Sequence, residues 1–292
     1  MSSRLYNNIK TAVFLGLLTG LILVAGALIG GNTGLIVALI IAAITNFVGF
    51  FFSDKIALAS MGAQEVGPEH WLYQMVARLA ARANLPMPRV YVSPQMAPNA
   101  FATGRSPRHS AVCATEGLLQ LLDRDEVAAV MGHELAHVKH RDILIQTVAA
   151  TIGGAISSLG YVFMFGGASS DDGDDDSGGG NPLAWLLILI LGPIAAALIQ
   201  AAISRSREFN ADTEGAAIAG DPRALASALE KIHAYAEQIP MHVNPAYNSL
   251  FIAEPRGAMA WIAGLFSTHP PMEQRIENLL GHSSVGRFRY AA

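Results

Sequence analysis

The chain has 292 residues, of which 52% are hydrophobic and 14% charged, with a mean hydropathy of +0.36 and a formal net charge of −4. An average soluble domain carries about 25% charge, so the composition excludes a wholly soluble protein and a disordered one. No basic stripe is present, which argues against a nucleic-acid partner, and the single cysteine, Cys113, rules out an intramolecular disulfide and an all-cysteine metal site.

Residues 11–52 contain no Asp, Glu, Lys or Arg. A spanning helix needs about 20 apolar residues, and this block is about twice as long. Gly30-Gly31-Asn32-Thr33-Gly34 interrupts it, which predicts a helical hairpin with spans near 11–29 and 35–52. Ala25-Gly26-Ala27 has the small-residue pattern of a signal-peptide cleavage site. The length of the apolar stretch, and the second one directly after it, favour retention.

Residues 89–115 alternate between turn residues and predict three short strands. Asn99, Ala100, Phe101, Ala102, Thr103 and Gly104 form the candidate exposed edge, where a substrate can pair as an added strand. Residues 123–142 then read DRDEVAAVMGHELAHVKHRD. Asp123 and Glu126 form a capping-box start. His133 and His137, four apart, share one helix face and can share one metal ion. Glu134 sits beside them, where it can take a proton from metal-bound water. Imidazole and carboxylate donors favour zinc. One straight helix cannot bring three imidazoles to a tetrahedral ion, so His140 is expected to be exposed or interfacial. No glycine or proline interrupts 133–152, and the helix is expected to run directly into a third span.

That span lies near 143–165 and a fourth near 183–204, joined by an acidic, glycine-rich loop at 168–181. Neither inter-span loop contains a basic residue, so all 19 Lys and Arg fall on one side, the cytosolic side. After span four comes SREFNADTEGA, residues 206–216. Glu208 and Asp212 are four apart. Glu208 is the better third metal ligand, and Asp212 can orient a ligand histidine from behind. Glu214 is expected to be solvated on another face. The crossings between His133 and Glu208 number two, so one ion can bridge both segments. His137 is roughly 9 Å of helix from span three and Glu208 roughly 6 Å from span four, which puts the metal just above the cytosolic membrane face. Asp221-Pro222 opens a helix to about Gln238, 239–257 is irregular, and Pro271 opens a last helix through Leu280.

The expected fold is therefore a mainly α integral membrane protein of about four spans with a small β-sheet. Its parts are an N-terminal transmembrane hairpin (1–52), a first cytosolic part with the sheet and the HExxH helix (53–142), a second transmembrane hairpin (143–204) and a second cytosolic part (205–292).

HELAH at 133–137, REFNAD at 207–212 after a hydrophobic hairpin, and STHPPMEQRI at 267–276 resemble the HtpX-type membrane zinc metallopeptidases. SDKIALASMGAQEV at 53–66 and PNAFATG at 98–104 extend the resemblance over almost the whole chain. The CAAX prenyl endopeptidases share the core pattern more distantly. The resemblance implies a gluzincin-like cytosolic protease domain, one Zn2+ held by His133, His137 and Glu208, and Glu134 as general base. It matches Asp212 to the aspartate of the family's ExxxD, His269 to a histidine that stabilises the oxyanion, and Arg275 to an arginine pairing with acidic groups behind the ligands. It further implies a multi-pass protein of the bacterial inner membrane that clips damaged membrane and cytosolic proteins. Two other readings stay open: a CAAX-type processing enzyme with a narrow substrate, and a non-catalytic, zinc-stabilised membrane scaffold. The scaffold would have no use for Glu134.

Overall fold

The structure is a computed structural model and describes residues 3–144, 146–148, 205–238 and 270–281. The first helix, α1 (Ser3–Ser60), leaves helical geometry at Gly30 (φ −135°, ψ 19°) and Gly31 (φ 53°, ψ −134°). A positive φ is costly for any residue with a Cβ. At this break the chain doubles back. Asn46 Nδ2 donates to Thr19 Oγ1 at 2.8 Å, and Gly26 and Gly34 approach so closely that a Cβ on either would collide with the other's backbone. Among the described residues one helix, Gly30–Ser60, is long and apolar enough to cross a membrane, with a mean hydropathy of 2.6. Ile36, Leu39, Ile40 and Ile44 along it are exposed.

Beyond α1 the chain forms a four-stranded sheet. β1 (Gln64–Glu65) pairs antiparallel with β2 (Arg89–Ser93), β2 runs parallel to β4 (His109–Thr115), and β4 pairs antiparallel with β3 (Ala100–Ser106). The order β1-β2-β4-β3 leaves β3 at an edge. Side chains alternate across a strand, and here the two faces meet different partners. Val90, Val92, Ala100, Ala102, Val112 and Ala114 enter the main core. Tyr91, Phe101, Ala111 and Cys113 pack instead on Ala57, Leu58 and Met61 at the end of α1. The sheet is thus the layer that ties α1 to the helical body. At Gly104 (φ 131°) β3 bulges against the hairpin, and a Cβ there would collide with the His109 carbonyl.

α2 (Trp71–Arg82) places Leu72, Met75, Val76 and Leu79 at helical spacing in the main core. A short α3 (Glu116–Leu121) leads to α4 (Arg124–His140), whose capping box forms as the sequence implies. Asp123 Oδ1 accepts from the Glu126 N–H and Glu126 Oε2 accepts from the Asp123 N–H, both at 2.9 Å. Buried Glu126 also holds α6 (Pro222–Gln238), through Ser227 Oγ at 2.6 Å and Lys231 Nζ at 2.7 Å. The expectation that the helix runs unbroken from His133 into the third span is corrected. Arg141 adopts the left-handed conformation (φ 63°, ψ 32°) and ends α4 one residue before Asp142.

α5 (Arg205–Ala219) crosses α4 at a pair of glycines, Gly132 and Gly215. A Cβ on Gly215 would lie 2.5 Å from the backbone of His133, and one on Gly132 would lie 2.6 Å from the Gly215 carbonyl. Asp221 Oδ1 accepts from the Arg223 N–H at 2.8 Å and starts α6. The last described helix is α7 (Met272–Leu280), which follows Pro271.

Candidate metal centre

The site grows from the α4–α5 crossing. His133 and His137 face one direction from α4, and α5 brings Glu208 and Asp212 against them. All of these side chains are buried, Glu208 and Asp212 to 0% exposure. His133 Nε2 and His137 Nε2 lie 3.2 Å apart. Glu208 Oε2 is 3.7 Å from the first, and its Oε1 is 3.5 Å from the second. Ligand atoms of all three residues fall within 4.8 Å of one another, the group of this kind among the described residues.

Each imidazole is held from behind by a carboxylate. His133 Nδ1 lies 2.9 Å from Asp212 Oδ1, and His137 Nδ1 lies 3.4 Å from Asp142 Oδ2. Asp212 is locked by Arg275, which donates from Nε at 2.8 Å and from Nη2 at 2.6 Å, a two-pronged pair buried on both sides. Arg207 Nη1 approaches Asp142 Oδ1 at 3.5 Å. Carboxylates at both Nδ1 atoms hold the ring protons there. Both Nε2 atoms then point into one gap, which a cation in place of a ring proton would bridge. Two nitrogens about 2.1 Å from a tetrahedral zinc lie roughly 3.4 Å apart, close to the 3.2 Å observed. The donor set fits a divalent metal of zinc's size and ligand preference.

Without a metal the carboxylates of the site draw positive charge onto its imidazoles. Burial opposes charge on His137, but Glu208, Asp142 and Glu134 prevail and hold its pKa up to about 9. Burial likewise works against the Asp212 carboxylate, yet Arg275 and His133 bring it down to about 2. Glu134, one residue from His133 and 5% exposed, is pushed above the ordinary carboxylate range by burial. The His133 and His137 charges and the Ala102 amide of β3 oppose that shift without cancelling it. The pocket thus gathers carboxylates whose proton affinities are driven apart, as acid–base work requires.

Of the residues singled out in the sequence, His133, Glu134, His137, Glu208, Asp212 and Arg275 come together. His269 lies outside the described residues, as do the acidic loop 168–181 and the stretch 239–257. The strand 99–104 is at the sheet edge beside α4, but it is not exposed: Asn99, Ala100, Phe101, Ala102 and Thr103 are all buried, Ala100 and Ala102 in the main core, Phe101 against the end of α1 and Thr103 on Thr147. Glu214 is not simply solvated. It clamps α5 to α4 by pairing with Lys139 at 2.6 Å and with His140. Sequence reading missed Asp142 altogether. Five positions after His137 on a continuous helix it would face away; the left-handed Arg141 returns it beneath the imidazole.

The description of Peptidase family M48 matches residues 67–283. This chain belongs to peptidase family M48. It is 49% identical over 283 residues to a Protease HtpX homolog of Desulforapulum autotrophicum, covering 96% of this chain and 91% of that one. It is 50% identical over 291 residues to Protease HtpX homologs of Burkholderia mallei and Burkholderia thailandensis, covering 97% of this chain and 100% of theirs. Among solved structures it resembles Ste24p of S. mikatae, with a TM-score of 0.50 and 15% identity. That match covers 95% of this chain and 66% of the longer Ste24p chain. The M48 protein described here is a metalloendopeptidase with a mostly helical, Ste24p-like fold.

Proposed function

We propose that this M48 peptidase is a zinc-dependent, multi-pass protease of the bacterial inner membrane that cleaves damaged or misfolded proteins on the cytosolic side. The convergence of His133, His137 and Glu208, with Glu134 beside them, carries the reading. The spans near 11–29, 35–52, 143–165 and 183–204 would hold two cytosolic parts, 53–142 and 205–292, that meet at the metal. Protein substrates in or near the bilayer would then reach a site just above its surface.

His133, His137 and Glu208 would hold the zinc, which when bound supplies Lewis acidity and lowers the pKa of water toward about 7. The chain's own residues do the rest. Asp212 and Asp142 keep the ring protons on Nδ1, so each Nε2 is free to ligate. Arg275 fixes Asp212 and so fixes the plane of His133. Glu134 takes the proton of the attacking water and returns it to the leaving amine. Its raised proton affinity suits a group that must hold that proton between the two steps. His269 would donate to the oxyanion.

Wild type and Glu134→Gln, both zinc-loaded in mild detergent, are compared on casein, with fragments read by mass spectrometry. Wild type should produce fragments that a chelator abolishes. Glu134→Gln should keep one zinc per chain and lose at least about 100-fold in rate. Turnover retained by Glu134→Gln would sink the assignment. Zinc at one per chain with no cleavage by wild type would favour a narrow-substrate or scaffold protein.

A further inference from the structure

A second feature lies away from the metal, where α1 meets the sheet. A cavity of about 500 Å³ opens between the end of α1 and the β3–β4 hairpin tip. One wall is aromatic: Phe47, Phe50, Phe51 and Phe52. The other is cationic: Lys55, Arg89, Arg105 and Arg108, with Asp54 as the single lining carboxylate. Arg89 already holds Asp54 at 2.9 Å. Among the described residues no carboxylate forms an ion pair with Lys55, Arg105 or Arg108, and cations outnumber carboxylates among the lining residues. Arg105 lies 5.5 Å over the Phe51 ring, and Lys55 lies 5.5 Å over the Phe52 ring. Cations are therefore poised on the aromatic wall. Phe51 and Phe52, both more than 40% exposed, are the last residues of the charge-free stretch, and the first charges after it are Asp54 and Lys55.

We propose that this cavity binds the phosphate headgroup of an anionic membrane lipid, its acyl chains lying along the phenylalanines and its phosphate among Lys55, Arg105 and Arg108. The proposal rests on the reading that 35–52 crosses the bilayer, because then the aromatic wall sits at the hydrocarbon boundary and the cations at headgroup level. Basic pockets at the cytosolic ends of spanning helices suit such headgroups. Charge complementarity selects an anionic lipid over a zwitterionic one, and the phenylalanine wall selects a lipid over a free phosphate ion. The same hairpin carries the strand whose Ala102 amide reaches Glu134. A lipid seated at its tip would steady the strand that borders the metal centre.

The test uses the full chain in detergent and native mass spectrometry. The probes are dioleoyl phosphatidylglycerol, dioleoyl phosphatidylcholine and, as free ion, inorganic phosphate. Wild type should bind phosphatidylglycerol at least tenfold more tightly than phosphatidylcholine, and millimolar phosphate should not displace it. The double variant Arg105→Gln/Arg108→Gln should weaken phosphatidylglycerol binding by about thirtyfold, and lysine at both positions should restore most of it. Both arginines are exposed, and an unchanged thermal midpoint verifies that the variant folds. Arg78→Gln, on the exposed side of α2, should change nothing. Equal binding of the two lipids, a preference that survives the double variant, or displacement by phosphate overturns the proposal. Alkaline carbonate extraction of native membranes separates the premises. A chain that stays in the pellet but shows no lipid preference defeats the lipid site alone, and a chain released into solution defeats the spanning reading with it.

Discussion

Asp142 and Asp212 stand in equivalent positions behind the two histidines, yet they differ in how they are held. Asp212 is clamped by two short bonds from Arg275, whereas Asp142 sits 3.4 Å from its imidazole and 3.5 Å from Arg207. Removing either should loosen the metal. Asp212→Asn and Asp142→Asn are each expected to lower zinc affinity by about 10–100-fold, with the larger loss at Asp212, as competition against a calibrated chelator will read. Asp212 also makes the metal-free chain sensitive to acid. Its pKa in the folded chain, about 2, lies below its ordinary value of 3.8. The Asp212–Arg275 pair therefore stabilises fully above about pH 4 and is lost as pH falls through 2, a contribution on the order of 2 kcal/mol. Thermal midpoints of the chelated protein between pH 5 and 2.5 should fall less steeply in Asp212→Asn than in wild type. The residues of this site were largely legible in the sequence, because histidines and carboxylates four apart can only share a helix face. Asp142 was not, since its role depends on Arg141 adopting a left-handed conformation that glycine or asparagine usually signals.

At the scale of elements, the crossing of α4 and α5 decides whether there is a site at all. Glu208 reaches the histidines only because Gly132 and Gly215 let the two backbones touch. In Gly215→Ala the new methyl meets the backbone of His133 rather than a flexible side chain, so the helices must part. Overpacking of this kind costs about 1–3 kcal/mol. The expected result is a lower thermal midpoint together with at least tenfold weaker zinc binding; an unchanged zinc affinity would show that the crossing does not set the ligand distance. Periodicity foretold the helices opened by Asp123 and Asp221 and the three strands of 89–115, because caps and alternation are local signals. It gave no warning that β3 would be buried. Exposure of an edge depends on what the rest of the chain lays over it, and alternation along one strand carries no such information. Nor did it reveal that Glu214 fastens α4 to α5, since an ion pair between residues 74 positions apart leaves no mark on either helix alone.

For the whole molecule, Cys113 provides a way to map the proposed path through the bilayer. This lone cysteine is fully buried in the sheet, and burial pushes its thiol up to about 12, so it should resist alkylation in the folded chain. Introduced cysteines can then be read without background. In intact cells, an impermeant maleimide should label Asn32→Cys, at the tip of the first hairpin, and leave exposed Gln64→Cys untouched until the membrane is broken. The reverse pattern would invert the topology. The division of the metal-site residues between α4 and α5 has a further consequence, one of timing. A ribosome adding about 5–20 residues per second releases the two histidines several seconds before Glu208, which follows about seventy positions later. Until the intervening segment has emerged and the chain has closed at its glycine crossing, the nascent protein carries two histidines and no third donor. On the proposed reading, cleavage at the point of synthesis would have to wait for that closure.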